Sequence, residues 1–185
     1  MTNGLRKIEL LAPAKNLECG IAAIDHGADA VYIGAAQFGA RQTAGNSTED
    51  IAELTRYAHQ FGAAVYVTVN TIVYEKELPA LEHLLRQLLE MGVDAILVHE
   101  MAVLEIYKKL KAEYMKRGYH MPALHASTQT DNRSADKVEW LKENGFERVV
   151  LARELSLEEI TNIHKAHPDV ELEAFVHGAL CVSYS

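Results

Sequence analysis

The chain has 185 residues, 49% of them hydrophobic, and a formal net charge of −8 at pH 7. This composition supports one large core without a linker, so we expect a single domain over residues 1–185. The acidic charge argues against broad electrostatic binding of nucleic acid, and no apolar run reaches the roughly 20 residues that cross a bilayer, which predicts a cytoplasmic protein without membrane binding.

Short apolar runs alternate with amphipathic stretches along the chain. In ELPALEHLLRQLLEMG the leucines recur at helical spacing, and Gly92 follows as a stop signal. The segments STED and SLEE, which begin at Ser47 and Ser156, match helix capping boxes. The predicted strands cover residues 8–12, 29–34, 63–70, 94–99, 122–127, 148–152 and 170–176.

Strand and helix alternate so regularly that we expect right-handed crossovers and a parallel sheet covered by helices. The junctions HGADAVYIG, MGVDAILVH and NGFERVVLA repeat one pattern, in which a glycine and an acid precede a buried run. This repetition favours an α/β fold of the TIM-like (β/α) barrel type over a doubly wound sheet. Because a closed barrel has eight strands and about 250 residues, we expect an incomplete barrel, truncated after its seventh strand.

The carboxyl ends of the strands are where such barrels carry their chemistry. Nearly every predicted strand end carries a polar residue or a glycine. The polar candidates are Asn70, His99, Ser127, Gln129, Arg153 and His177. With Glu173, we expect all of these except Ser127 to line one pocket.

Strand parity adds further candidates, because alternate side chains of a barrel strand point inward. The inward set includes Tyr66, His125 and Glu173, and Glu9 joins it if Ile8 and Leu10 face the helices. The two inward carboxylates have two interpretations. They are catalytic groups, or they are structural groups paired with inward hydrogen-bond donors.

The two cysteines, Cys19 and Cys181, are too far apart in sequence to indicate a disulfide framework. Cys19 is most simply a structural residue of the first helix. Cys181 follows the last strand close to His177, where a thiolate could be a nucleophile or a metal ligand. The helical zinc motif H-E-x-x-H is absent, because position 103 is a valine.

The segment EAFVHGALC, residues 173–181, resembles the signature of the collagenase-like peptidase family, the peptidases of unassigned type numbered thirty-two. Its fixed positions are Glu, Phe, Gly, a small residue, an aliphatic residue and Cys, and all of them match. The resemblance extends in order through ELLAPAKN, GADAVYIG, VYVTVNT, LHASTQ and ARELSLEEI, so it covers essentially the whole chain.

This resemblance implies either of two activities. Some members are named proteases, whereas others resemble oxygen-independent hydroxylases of a tRNA or rRNA pyrimidine, with prephenate as the oxygen donor, or of a ubiquinone precursor. The hydroxylases carry an iron-sulfur cluster on four cysteines, of which Cys181 would be the first and the others would follow Ser185. We therefore expect a [4Fe–4S] cluster in the full-length protein and no cofactor in this chain by itself.

We favour an iron-sulfur RNA hydroxylase whose partner is tRNA or rRNA. The alternatives are an endopeptidase that uses Cys181 and His177 or a metal, and a non-catalytic binding barrel. The isolated chain is expected to be inactive. Its unpaired edge strands are expected to form homo-oligomers.

Overall fold

The computed structural model describes residues 8–39 and 45–178, in which strands and helices alternate. The strands are β1 (Leu11–Ala14), β2 (Ala30–Gly34), β3 (Ala64–Val69), β4 (Ala95–Val98), β5 (Ala123–Ala126), β6 (Arg148–Val150) and β7 (Glu171–Glu173). The helices are α1 (Leu17–Asp25), α2 (Thr48–Gln60), α3 (Leu78–Met91), α4 (Met101–Lys116), α5 (Ala135–Glu143) and α6 (Leu157–Ala166). Two short 3₁₀ helices cover Glu75–Glu77 and Thr128–Thr130.

The seven strands form one parallel sheet in sequence order, and one helix follows each strand up to β6. The sheet curls, because side chains of strands that are not neighbours meet inside it. The guanidinium of Arg148 lies 5.2 Å from the centre of the Tyr66 ring, and the Tyr66 and His125 rings are 4.8 Å apart. The predicted barrel-like α/β fold is therefore confirmed.

Strand alternation divides the hydrophobic residues into two cores, as in a barrel. The outer core lies between the sheet and the helices, and its strand residues include Val31, Ile33, Val65, Val67, Ile96, Val98, Leu124 and Val149. The inner core consists of Ala30, Tyr66, Ala95, Leu97 and Val150. Glu9 and His125 also lie inside the curl, so the inner surface carries polar and small residues.

The repeated glycine-acid junction has a structural cause. Gly27 and Gly92 adopt φ values of 93° and 75°, which end α1 and α3 in a conformation that favours glycine. The acid two residues after each glycine accepts a hydrogen bond from the backbone of the preceding strand or the residue before it. Asp29 Oδ2 accepts from the Leu10 N–H at 2.9 Å, and Asp94 Oδ2 accepts from the Val65 N–H at 2.7 Å. The pattern therefore ties neighbouring strands together and is not a catalytic motif.

The predicted helix signals are confirmed. Ser47 and Ser156 begin α2 and α6 with reciprocal capping boxes, in which Asp50 and Glu159 bond back to the serine N–H at 3.0 and 2.7 Å. Gly92 caps α3 in the left-handed conformation.

The ends of the first and last strands differ from the prediction. Ile8 and Leu10 precede β1 and are 89% and 55% exposed, so they do not pack against the helices. β7 ends at Glu173 instead of residue 176, because its partner β6 ends at Val150, opposite Glu173. His177 consequently lies beyond the strand and is exposed.

Candidate functional site

One row of inward-facing positions crosses the carboxyl ends of the central strands. The register of the sheet pairs Val150 with Glu173. Asn70, His99 and Ser127 each follow the last residue of β3, β4 and β5. When the register of these strands is extended by one residue, the three lie in the same row as Val150 and Glu173. We call Asn70, His99, Ser127, Val150 and Glu173 the terminal layer. Three of the predicted site residues, Asn70, His99 and Glu173, belong to it.

Asn70 and Ser127 hold one side of the terminal layer together. Asn70 Nδ2 donates to Ser127 Oγ at 3.2 Å, and both residues are buried. The Asn70 N–H donates to the Phe38 carbonyl at 2.8 Å, and the Ser127 N–H donates to the Val98 carbonyl at 2.9 Å. The backbone of each residue is therefore held by the neighbouring loop or strand, and the two side chains bond each other.

His99 and Glu173 supply polar atoms that the described residues do not satisfy. His99 Nδ1 and Glu173 Oε2 are buried and have no hydrogen-bond partner within residues 8–39 and 45–178. Burial raises the pKa of Glu173 from 4.5 to about 7, the positive charge of Arg148 opposes the rise, and the negative charge of Glu9 adds to it. Near neutral pH this carboxyl can therefore gain or lose a proton.

His125 lies one inward position below the terminal layer, and its ring makes a T-shaped contact with the Tyr66 ring. It is only 4% exposed, and burial lowers its pKa to about 3, with the Arg148 charge adding to the effect. The imidazole is therefore neutral at physiological pH. In this state it can exchange hydrogen bonds but carries no charge to a ligand.

The remaining predicted residues lie at the rim. Gln129 is exposed on the 3₁₀ helix after β5. The Arg153 guanidinium stacks 4.1 Å from the centre of the Phe175 ring, beyond the ends of β6 and β7. Gln129, Arg153 and the exposed His177 thus lie beyond the terminal layer, at the same end of the barrel. Cys181 lies outside the described residues.

Arg148 is a site residue that the sequence patterns did not reveal. Its guanidinium makes two contacts with Glu9, Nη1 to Oε1 at 2.5 Å and Nη2 to Oε2 at 3.1 Å, and Tyr66 donates to Glu9 Oε2 at 2.9 Å. Glu9 is thus a paired structural carboxylate. Arg148 lies at an inward-facing position of β6. Two inward carboxylates need a positively charged partner, and this need is the sequence signal that could have identified Arg148.

Two asparagines outside the prediction fix the strand ends. Asn132 is fully buried, and its Nδ2 donates to the carbonyls of Ser127 and Val150, each at 2.8 Å. Asn46 Nδ2 donates to the carbonyls of Gly34 at 2.9 Å and Lys15 at 3.2 Å. Each asparagine therefore joins the ends of two adjacent strands, and Asn132 does so at Ser127 and Val150, two members of the terminal layer.

A cavity of about 450 Å³ opens at the opposite, amino-terminal end of the strands. Tyr66, His125 and Arg148 form its inner wall, and Lys142 and Asp169 lie at its mouth. The Lys142–Asp169 ion pair of 2.5 Å lies between α5 and the loop before β7. Barrels of this type carry their chemistry at the carboxyl ends of the strands, so we do not treat this cavity as part of the candidate site.

Residues 8–39 and 45–178 do not form a metal centre by themselves. They contain no group of three His, Cys, Asp or Glu side chains arranged to hold a metal ion. Their one free cysteine, Cys19, is exposed on α1. A cluster that needs four thiolates cannot be built from these residues. Within the same ranges, none of the helices combines the length and the apolar character that a bilayer crossing needs.

The fold and the terminal layer define a parallel α/β barrel with a polar site at the carboxyl ends of its strands. A solved U32 peptidase shares the fold, with a TM-score of 0.69 and 15% identity over 94% of this chain and 70% of that chain. The model of Peptidase family U32 matches residues 15–185. The chain belongs to Peptidase family U32.

Curated relatives include enzymes of RNA modification. The chain is 46% identical to the 23S rRNA 5-hydroxycytidine C2501 synthase of Escherichia coli over 100% of its own length and 26% of that protein. It is 39% identical to tRNA hydroxylation protein P1 of Bacillus subtilis over 97% of its length and 41% of that protein. The chain therefore spans about a quarter to two fifths of these relatives.

Proposed function

We propose that this chain is the barrel of an enzyme that hydroxylates a pyrimidine base in rRNA or tRNA. The observation that carries the proposal is the terminal layer, in which the buried atoms His99 Nδ1 and Glu173 Oε2 face the inside without a hydrogen-bond partner among the described residues. An unsatisfied buried polar group costs about 1–3 kcal/mol, which a bound ligand can recover. The similarity to RNA-hydroxylating relatives over the whole chain supports RNA as the substrate.

The layer offers the groups that a pyrimidine needs. The edge of a pyrimidine presents ring and exocyclic oxygens and nitrogens, which pair with amide, imidazole and carboxyl groups. Asn70 supplies the amide, His99 the imidazole and Glu173 a carboxyl that either donates or accepts. We assign proton transfer during the reaction to Glu173, because its carboxyl changes protonation near neutral pH.

In this proposal the RNA binds at the carboxyl end of the strands, where the side chain of Tyr74 is exposed. This side chain is 63% exposed on the loop after β3, and its backbone N–H donates to Glu77 Oε2 at 2.8 Å, which fixes the loop. Proteins commonly stack unpaired bases on exposed aromatic rings. Tyr74 is thus our candidate for contact with a nucleotide beside the target base.

We propose prephenate as the oxygen donor and a [4Fe–4S] cluster, bound in part by Cys181, as the cofactor of the full-length protein. Both rest on the resemblance of the sequence to the family. The cluster would supply redox chemistry when bound, and its thiolates would come from residues outside the described ranges. The described chain contributes base binding and proton transfer.

A serine peptidase mechanism finds less support. Ser127 Oγ accepts from Asn70 Nδ2 at 3.2 Å and from the Gln129 N–H at 3.4 Å, and no histidine among the described residues is seen to hydrogen-bond it. A serine without a hydrogen-bonded base is a weak nucleophile.

The proposal is tested by expressing the full-length protein in a host that lacks its own RNA hydroxylases of this family. Total rRNA and tRNA are digested to nucleosides, and pyrimidines that have gained one oxygen are measured by mass spectrometry. Wild-type protein should produce such a nucleoside in one RNA class. Glu173→Gln should reduce its rate of formation about 100-fold or more, because proton transfer is lost.

His83→Ala is the matched control for His99→Ala, since His83 is exposed on α3. The control should retain wild-type modification, whereas His99→Ala should lose most of it. Wild-type protein that leaves both RNA classes unmodified but cleaves denatured collagen or peptides would overturn the proposal in favour of a peptidase.

A further inference from the structure

Glu9 and Arg148 form an ion pair inside the barrel between residues that are far apart in sequence. The pair joins the segment before β1 to the first residue of β6, through contacts of 2.5 and 3.1 Å. The Arg148 side chain is only 11% exposed, so solvent screens the pair weakly. The Tyr66 hydroxyl also donates to Glu9 Oε2, at 2.9 Å.

Two further contacts of the Arg148 guanidinium are with Glu171. Its Nε and Nη2 contact Glu171 Oε2 at 2.9 and 2.6 Å. All three guanidinium nitrogens are thus engaged by Glu9 and Glu171. The approach of Arg148 to Glu173, Nη1 to Oε2 at 3.8 Å, is too long for a hydrogen bond.

We propose that Glu9 is a positioning residue that holds the Arg148 guanidinium away from Glu173, so that Glu173 remains free to carry a proton for the reaction. This inference rests on the proposed function, which makes Glu173 the proton carrier. The pair of carboxylates on Arg148 therefore has a purpose beyond stability. It controls the charge that Glu173 experiences.

The groups that face Glu173 determine the sign of the effect. Arg148 of β6 favours the ionised carboxylate, whereas Glu9, before β1, disfavours it. Glu171, on the same strand, is 59% exposed at its side chain and is screened by solvent. On the far side of Arg148, His125 is neutral and Tyr66 is an uncharged phenol.

Replacement of Glu9 by glutamine should lower the pKa of Glu173 by two effects that act in the same direction. One negative charge near Glu173 disappears, and the released guanidinium can turn toward Oε2. An unshielded opposite charge lowers a carboxyl pKa by about 1–3 units. We therefore expect the titration midpoint of Glu173 to fall by at least about one pH unit in Glu9→Gln.

The midpoint is read directly by infrared titration of the full-length protein. The protonated-carboxyl band that disappears in Glu173→Gln is assigned to Glu173, and its intensity is followed against pH. The band should titrate near pH 7 in wild type. It should titrate at least about one unit lower in Glu9→Gln, and Glu139→Gln, an exposed change on α5, should match wild type.

Glu9→Asp separates position from charge and keeps the test decisive if Glu9→Gln does not fold. Aspartate keeps the negative charge but is one methylene too short for the two-contact pair, so the midpoint should fall part of the way. A merely structural role for Glu9 would lower the melting temperature of the variants and leave the Glu173 midpoint at the wild-type pH. That result would overturn the inference.

The pH dependence of RNA hydroxylation provides the functional readout. The limb of the kcat/KM profile that follows Glu173 should move to lower pH in Glu9→Gln by the same amount as the infrared midpoint. The infrared band is measured without RNA, so the two tests are independent. Absence of hydroxylation would refute the proposed function, whereas the inference about Arg148 would still be decided by the titration of the band. A shifted band with an unshifted profile would refute the link between Glu173 and catalysis.

Discussion

Replacement of Asn132 by alanine should destabilise the chain, because this side chain bridges the ends of β5 and β6. Its Nδ2 donates to the carbonyls of Ser127 and Val150, each at 2.8 Å. The residue is 0% exposed, so water cannot replace these bonds. Each net hydrogen bond contributes about 1 kcal/mol, and the stranded Val150 carbonyl adds a desolvation cost of similar size.

The Ser127 carbonyl keeps a donor from Thr130 Oγ1 at 2.7 Å, so only the Val150 carbonyl loses the amide without an evident substitute. The expected loss is thus about 3 kcal/mol in the free energy of unfolding. For a chain of this length, that loss corresponds to a decrease of about 6–12 °C in melting temperature. Urea denaturation followed by circular dichroism measures the free energy, and a thermal scan measures the melting temperature.

Two further variants test the cause. Asn132→Asp keeps the shape but removes both donated bonds and places a carboxylate against two carbonyls, so it should lose at least as much stability as the alanine variant. Asn144→Ala, whose Nδ2 donates to the Trp140 carbonyl at an exposed site, should change stability by no more than about 0.5 kcal/mol. An aspartate variant as stable as wild type would refute the bridging argument.

Two other predictions follow from the site. Tyr74→Ala should weaken RNA binding by the full-length protein about 5- to 100-fold in filter binding, because one base loses its stacking partner. Phe61→Ala, at a ring 62% exposed after α2, should bind RNA like wild type, and equal losses in both would contradict a local contact. The pKa of Glu173 is about 7 in the folded state and 4.5 in the unfolded state, so the folded state binds this proton more tightly. The contribution of the protonated carboxyl to stability is therefore fully present below pH 4.5 and is lost as pH rises through about 7. The stability advantage of wild type over Glu173→Gln in urea should therefore shrink by up to about 3 kcal/mol across that range, and a constant difference would show that the carboxyl is not shifted.

Local sequence patterns determined the order of the elements. The alternation of period two defines the seven strands and their inward side chains, so the inward positions of Tyr66, His125 and Glu173 follow from the sequence alone. Capping boxes and Gly92 mark helix ends, because their hydrogen bonds and backbone angles depend on residues within a single turn. Asn70 and His99 follow from the rule that the carboxyl ends of parallel strands meet at one edge.

Features that depend on strand pairing could not be derived in this way. The end of β7 is set by the length of β6, and for that reason the predicted continuation of the strand to residue 176 is wrong. Asn132 resembles an ordinary loop residue in the segment TDNRS, and only the proximity of β5 and β6 gives it two carbonyls to bridge.

The two inward carboxylates show the division most clearly. Parity predicts that Glu173 faces inward. It predicts the same for Glu9 only if Ile8 and Leu10 face the helices, which they do not, and it leaves open which carboxylate is paired. The curl and stagger of the strands bring Arg148 to within hydrogen-bond distance of Glu9 and hold it 3.8 Å from Glu173. The distance from Arg148 Nη1 to Glu173 is about one ångström longer than its distance to Glu9, a residue 139 positions away in sequence. This difference distinguishes the carboxylate of a structural ion pair from a carboxyl that can exchange a proton. Local periodicity carries no information about such distances, because they arise from the packing of the whole sheet.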